Sequence, residues 1–204
     1  MMKIIGVTGG VGAGKSKILD YLEEECGAVV YKADEVARKL QQPGQFVFRE
    51  ILEHFGIEIL SKDGELDRAK LAEIVFSDEA ELFFLNQLIH PQVKEYIMQA
   101  IETEGDLGTD LFVVEAAVLL EDHYDEICDE LWYIYTSQSV RRERLKTSRG
   151  YSDEKITEMM RNQLGENEFR EKCDKVIDNT GDFEDTKLQI DEALIDHEDT
   201  LYNI

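Results

Sequence analysis

Positive charge, proline and cysteine are all scarce in this 204-residue chain, and each shortage excludes something. Lys and Arg number 22 against 45 Asp and Glu, a formal charge of −23. A surface this acidic repels bulk nucleic acid and anionic lipid, so neither is expected as a partner. The three cysteines, Cys26, Cys128 and Cys173, are odd in number, far apart and without a C-x-x-C pair. They argue against a disulfide framework or a cysteine zinc site and suit a reducing, cytoplasmic setting. No apolar run approaches the ~20 residues of a membrane-spanning helix, and the stretch after Lys3 is too short for a signal peptide. Pro43 and Pro91 are the two prolines, and each reads as a boundary. With 43% hydrophobic and 33% charged residues, the composition is that of a globular chain, one large domain or a core with an insertion.

What is present starts at the first apolar run, residues 4–8, which reads as a buried strand. Directly after it, Gly9-Gly10-Val11-Gly12-Ala13-Gly14-Lys15-Ser16 fits the phosphate-binding pattern G-x-x-x-x-G-K-[ST] at every fixed position. The order strand, glycine-rich loop, helix is what gives the match weight. Glycines let the backbone N–H groups curl inward at a polyphosphate, and the new helix brings its positive end to the same spot. Lys15 would reach the β- and γ-phosphates, and the Ser16 hydroxyl would complete the shell of a magnesium ion. The scarce positive charge is concentrated elsewhere: Arg141, Arg142, Arg144, Lys146 and Arg149 fall within nine residues that contain one acid, Glu143. A phosphate loop with an arginine-rich segment points to phosphoryl transfer, in which catalysis is mostly positioning and charge stabilisation. A kinase acting on an alcohol also wants a carboxylate at the acceptor hydroxyl. Asp34, just past the second predicted strand, is the candidate, and an N-cap for a helix starting at Glu35 is the competing role.

The pattern along the chain predicts an α/β fold: a P-loop NTPase-type three-layer α/β/α arrangement on a parallel sheet, with an inserted helical substrate domain and a helical lid. Strands are expected at 3–8, 28–31, 111–118, 131–135 and 175–178. Helices are expected at about 15–25, through much of 35–104 with a new one opening at Pro91, at 139–146, around 156–163, and at 183–194. The acidic tail from Asp196 is expected to fray. The nucleotide-binding core is assigned to 1–32, 105–136 and 167–204, a helical acceptor-substrate domain to 33–104 and the lid to 137–166.

Several ordered segments together resemble the dephospho-coenzyme A kinase family over residues 3 to about 181. They are Gly6-x-Thr8-Gly9-Gly10-x-Gly12-x-Gly14-Lys15-Ser16, Ala33-Asp34-x-x-Ala37-Arg38, Asp63-Gly64-Glu65-Leu66-Asp67-Arg68, Leu88-Ile89-His90-Pro91, Arg144-Leu145 with Gln163, and Val176-Ile177-Asp178-Asn179-x-Gly181. The resemblance implies phosphorylation of the ribose 3′-hydroxyl of dephospho-coenzyme A by ATP with Mg2+. A P-loop kinase of a nucleoside monophosphate or other small molecule is the alternative. It also implies that Asp34 serves the acceptor hydroxyl, that Lys15, Arg144 and Arg149 act on the phosphates, and that Gly10 to Lys17, with Asn179 and Gly181, hold ATP. Thr8, Arg38 and His90 would contact the second substrate, and Glu115 stands where many members carry an acid that helps hold magnesium through water. No protein partner is implied. The chain departs from the pattern at Lys32, where the family has a second aspartate, at Lys17, where threonine is common, and in the four residues between Arg144 and Arg149, where three are usual.

Overall fold

The computed structural model describes residues 2–201, with side chains described as far as Ile195. In chain order the elements are β1 (Lys3–Thr8), α1 (Lys15–Glu24), β2 (Val29–Lys32), α2 (Ala33–Leu40), α3 (Phe46–Phe55), α4 (Arg68–Ser77) and α5 (Glu79–Leu107). There follow β3 (Leu111–Glu115), β4 (Glu130–Tyr135), α6 (Gln138–Arg149), α7 (Asp153–Arg161), α8 (Glu166–Lys172), β5 (Lys175–Asp178) and α9 (Phe183–Leu201). The chain divides into two units, Met1–Val30 with Gly108–Ile204, and Tyr31–Leu107.

The first unit is built on a five-stranded sheet in the order β2-β3-β1-β4-β5. β1 runs parallel to β3, with Lys3 opposite Leu111 and Val7 opposite Glu115, and parallel to β4, with Thr8 opposite Tyr133. β4 runs parallel to β5 from Trp132–Lys175 to Tyr135–Asp178. β1 and β2, consecutive in sequence, are separated by β3. β3 and β4 then flank β1 on opposite sides, so the C-terminal end of β1 lies at the switch point where ligands bind in open α/β sheets. Strands covered on both faces lose their alternation, and Phe112, Val113, Val114, Trp132 and Ile134 are all fully buried. Ile5, Val7, Ile18 and Leu22 pack into one core with Val113, Trp132, Ile134, Ile177 and Ile190. The second unit has its own core of Val47, Phe48, Ile51, Ile59, Leu66, Leu71 and Val75.

Four boundaries differ from the sequence expectation, each for a visible reason. The apolar run 111–118 is a strand only to Glu115. Beyond it the chain folds into tight turns (Asp122 N–H to Val118 O, 2.9 Å; Tyr124 N–H to Leu119 O, 3.1 Å) that bury Leu119, Leu120 and Tyr124, so the residues stay apolar without pairing. Pro91 opens no helix, because α5 passes through it. The break falls earlier, at Asp78, whose carboxylate accepts from Ala80 N–H at 2.9 Å, and beyond Pro91 the buried Val93, Ile97 and Ala100 hold the helix in place. A separate helix, α8, follows α7 across Gly165, where the Glu168 carboxylate accepts from Gly165 N–H at 2.9 Å. The closing helix α9 continues to Leu201, since no Gly or Pro interrupts it. The expected fraying of the acidic tail concerns side chains and residues beyond Ile195 and Leu201 that lie outside the described part.

Asp67 caps α4, its carboxylate accepting from Ala69 and Lys70 N–H at 3.2 Å each. Asp67→Ala should therefore lower the free energy of unfolding by about 1 kcal/mol, while Asp67→Asn should stay within a few tenths. Urea denaturation of the two variants distinguishes them, and equal midpoints would show that the cap contributes nothing.

Candidate active site

A loop that turns its N–H groups inward turns its carbonyls outward, and each buried carbonyl then needs a donor. The segment between β1 and α1 bends through positive φ at Gly9 (151°), Gly12 (78°) and Gly14 (85°), the last in left-handed conformation immediately before α1. The Gly9 carbonyl accepts from Lys15 Nζ at 2.6 Å, and that of Gly10 from Ala13 N–H at 3.1 Å. Val11 O accepts from Arg141 Nε at 2.8 Å. Three donors converge on Ala13 O: Asn179 Nδ2 at 2.7 Å, Thr136 Oγ1 at 2.9 Å and Arg144 Nη1 at 3.2 Å. Behind them, Thr186 Oγ1 donates to Asn179 Oδ1 at 3.2 Å and Arg144 Nη2 to Asn179 O at 2.9 Å. Thr136, Asn179 and Thr186 are buried. The ends of β4 and β5 thus fix the loop by hydrogen bonds, leaving its inward face for an anion.

Lys15 Nζ also lies 3.4 Å from Glu115 Oε1, and both side chains are largely covered. Glu115 ends β3 opposite Val7, at the mouth of the loop. Ser16 is exposed, and its hydroxyl has no hydrogen-bond partner among the described residues. No group of three His, Cys, Asp or Glu that could cage a metal occurs among the described residues. Magnesium does not need one: it is usually held by one or two protein oxygens together with substrate phosphates and water, and Ser16 with Glu115 is an oxygen set of that kind.

The basic segment divides by helical face. Arg141 and Arg144, three apart on α6, point to the loop. Arg142 and Lys146, four apart, point to α7: Arg142 Nη2 donates to Thr157 Oγ1 at 2.9 Å, and Lys146 Nζ lies 2.7 Å from Asp153 Oδ1. Arg149, the last residue of α6, is exposed, with its guanidinium 6.0 Å from the Tyr151 ring centroid. Arg144 therefore has donors committed to the Ala13 and Asn179 carbonyls, and Arg149 takes no part in the loop's hydrogen bonding. Like Arg144, Arg141 lies against the loop with no carboxylate partner among the described residues, but its Nη1 is left without a hydrogen bond there. Burial lowers its pKa from the usual arginine value, although an arginine remains cationic at neutral pH. Its guanidinium covers Gly10 so closely that a Cβ there would collide with it.

Lys17, Asn179 and Gly181 line one cavity of about 420 Å3 beside Gly14, together with Arg144, Asp182 and Phe183. Lys17 Nζ stands 3.9 Å from the Phe183 ring centroid. Asn179 has both side-chain atoms engaged in the network, so it supports the loop from behind. Thr8 is fully buried, and its hydroxyl has no hydrogen-bond partner among the described residues.

In the second unit, Asp34 is the second residue of α2. The N-cap position falls on Lys32, in extended backbone (φ −102°, ψ 116°) with no side-chain cap bond, so the capping role considered for Asp34 is not used. Its carboxylate is exposed, in the first turn of a helix, where the dipole favours an anion, and has no hydrogen-bond or ion-pair partner among the described residues. Arg38 is exposed one turn further along α2, and His90 is half-buried within α5 just before Pro91.

A sequence model of dephospho-CoA kinase matches residues 3–185. The chain belongs to the dephospho-CoA kinase family. Among the curated relatives is the dephospho-CoA kinase of Carboxydothermus hydrogenoformans, 35% identical over 190 residues, which are 93% of this chain and 92% of the relative. A solved Thermus thermophilus structure matches with a TM-score of 0.79 at 28% identity, covering 96% of this chain and 97% of the other. The Campylobacter jejuni dephospho-CoA kinase structure shares the fold with a TM-score of 0.72 at 23% identity, over 100% of both chains. Family membership and the five-stranded parallel sheet agree with the fold read from the sequence. No helix among the described residues is long and apolar enough to cross a membrane.

In this member of the dephospho-CoA kinase family, the sequence pattern assigns no individual role to Arg141, Thr136 or Thr186. The three-residue spacing of Arg141 and Arg144 carried a usable signal, because it puts both on one helical face. Replacing Asn179 by alanine removes a buried donor to Ala13 O and one acceptor of the Thr186 hydroxyl, which keeps the Asp178 and Asp182 carbonyls at 3.3 and 3.4 Å. Asn179→Ala should lower unfolding free energy by about 1–3 kcal/mol and weaken ATP binding, whereas Arg149→Ala should leave stability within about 0.5 kcal/mol. Urea denaturation and nucleotide titration read both effects, and a fully stable Asn179→Ala protein would show that the loop does not depend on this network.

Proposed function

We propose that this chain transfers the γ-phosphoryl group of ATP to the ribose 3′-hydroxyl of dephospho-coenzyme A, giving coenzyme A and ADP, the last step of coenzyme A synthesis. The observation that carries the reading is the phosphate loop with its outward carbonyls capped by Lys15, Arg141, Arg144, Thr136 and Asn179, in a chain of this family. Such a loop needs little reorganisation when a triphosphate arrives, which is the source of electrostatic catalysis in phosphoryl transfer.

In this reading Lys15 exchanges part of its contact with Gly9 and Glu115 for the β- and γ-phosphate oxygens. Ser16 and Glu115 are the residues that would hold magnesium, which would neutralise phosphate charge when bound with the triphosphate. Arg141 supplies positive charge to the phosphoryl group in flight. Arg144 and Asn179 keep the loop in shape. Gly181, Lys17 and Phe183 border the nucleoside, in the cavity beside Gly14. Asp34 orients the acceptor hydroxyl and takes its proton as the new P–O bond forms, while Arg38 and His90 hold the anionic and polar parts of the coenzyme A precursor. The ion pairs of Arg142 and Lys146 with Asp153 tie α6 to α7, so the lid moves as one piece and keeps water, the competing acceptor, away. A cytoplasmic location agrees with three free thiols.

Asp34→Asn should bind ATP as the wild type does yet turn over at least ~100-fold more slowly with dephospho-coenzyme A, the usual scale for lost acid–base help. Steady-state kinetics with a nucleotide titration separates the two effects. Unchanged kcat would remove Asp34 from the chemistry, and turnover on a nucleoside monophosphate in place of dephospho-coenzyme A would substitute the alternative kinase reading.

A further inference from the structure

Three residues far apart in the first unit close a ring of hydrogen bonds around the phosphate loop. Val11 N–H donates to Gln163 Oε1 at 3.0 Å, and Arg141 Nη2 donates to the same oxygen at 2.9 Å. Arg141 Nε completes the ring on the Val11 carbonyl at 2.8 Å. Gln163 lies between α7 and α8, and its amide oxygen receives two donors at once, one from the loop and one from the arginine that covers it.

The chemistry of each atom matters. A guanidinium has five N–H donors; this ring uses two of Arg141's, one on Nε and one on Nη2. Nη1 keeps both of its hydrogens, and no carboxylate neutralises the group among the described residues. Two hydrogen bonds from different nitrogens of a planar group fix its plane as well as its position. A flexible side chain held this way before substrate arrives has already lost the rotational freedom that would otherwise oppose catalysis. The acceptor is also neutral. A carboxylate at position 163 would accept the same two bonds but cancel the charge that a phosphoryl group needs.

We propose that Gln163 is a positioning residue for phosphoryl transfer: through its shared oxygen it locks the Arg141 guanidinium against Val11, with the remaining donors aligned for the transferred group. This rests on the kinase reading given above and adds the residue that orients its catalytic arginine. A purely structural tie between the α7–α8 segment and the loop would act without Arg141, and that difference is measurable.

The experiment is a double-mutant cycle on the full chain with ATP and dephospho-coenzyme A, using Gln163→Leu, Gln163→Met, Arg141→Ala and the Arg141→Ala/Gln163→Met pair. Methionine keeps the length and shape of glutamine without its acceptor, so it serves if the leucine variant folds poorly. The expected result is a kcat lowered about 10- to 100-fold with KM for ATP within about threefold, the range for a misplaced catalytic group. In the Arg141→Ala background the second substitution should cost less than about twofold, because the residue acts through the arginine. Costs that multiply in the pair, or a change confined to KM, would overturn the proposal. Gln163→Glu gives a further arm: it keeps the acceptor, and its kcat should fall nonetheless.

Amide hydrogen exchange at Val11 tests the ring without any turnover. Protection in the wild type that drops at least ~10-fold in Gln163→Met is expected. An equally fast Val11 amide in both proteins would overturn the proposal whatever the substrate is. A protected amide in an enzyme that leaves dephospho-coenzyme A untouched would defeat the functional reading and leave the ring standing.

Discussion

Everything at the donor site depends on where the outward carbonyls of the phosphate loop find their donors. To aim N–H groups at an anion the backbone must invert, and the inversion strands C=O groups in a poorly solvated place. The chain meets this with side chains from three later segments: Arg141 and Arg144 from α6, Thr136 from the end of β4, and Asn179 from the end of β5. The strand order β2-β3-β1-β4-β5 is what brings these ends beside β1. The sheet, the loop and the first helix of the lid are therefore one solution to one hydrogen-bonding problem.

That dependence also explains how so acidic a chain receives an acidic ligand. The charge of −23 is spread over the surface, while the loop is served by Lys15, Arg141 and Arg144. Two of these cations have backbone carbonyls as hydrogen-bond partners and, among the described residues, no carboxylate. Carbonyl oxygens orient a cation without cancelling its charge, so the positive field at the loop survives. Glu115 is the exception, and its place beside Lys15 suits a residue that shares the lysine with phosphate and lends an oxygen to a metal.

Much of this was legible in the sequence because the decisive features are local. The strand-loop-helix order, the near-continuous apolar strands and the spacing of glycines each follow from a few adjacent residues. What was hidden depends on long-range contacts. The run 111–118 looked like one strand, since burial in tight turns selects the same apolar residues as burial in a sheet. Pro91 looked like a helix start, but buried contacts at Val93, Ile97 and Ala100 outweigh the missing hydrogen bond. Arginines 144 and 149 looked equivalent because composition cannot say which face of a helix meets the loop. Residue-level hydrogen bonding separated them and brought Arg141 forward. Asp34 needed the reverse step: only the start of α2 at Ala33 shows that its carboxylate is free of capping duty.

The most direct measurement is the position of the new phosphate after the protein, ATP labelled at the γ-phosphate, magnesium and dephospho-coenzyme A have reacted. Transfer of the label to the ribose 3′-oxygen, located by phosphorus and proton NMR of the purified product, is the expected result. Label found on a nucleoside monophosphate from a competing panel, with none on dephospho-coenzyme A, would contradict it.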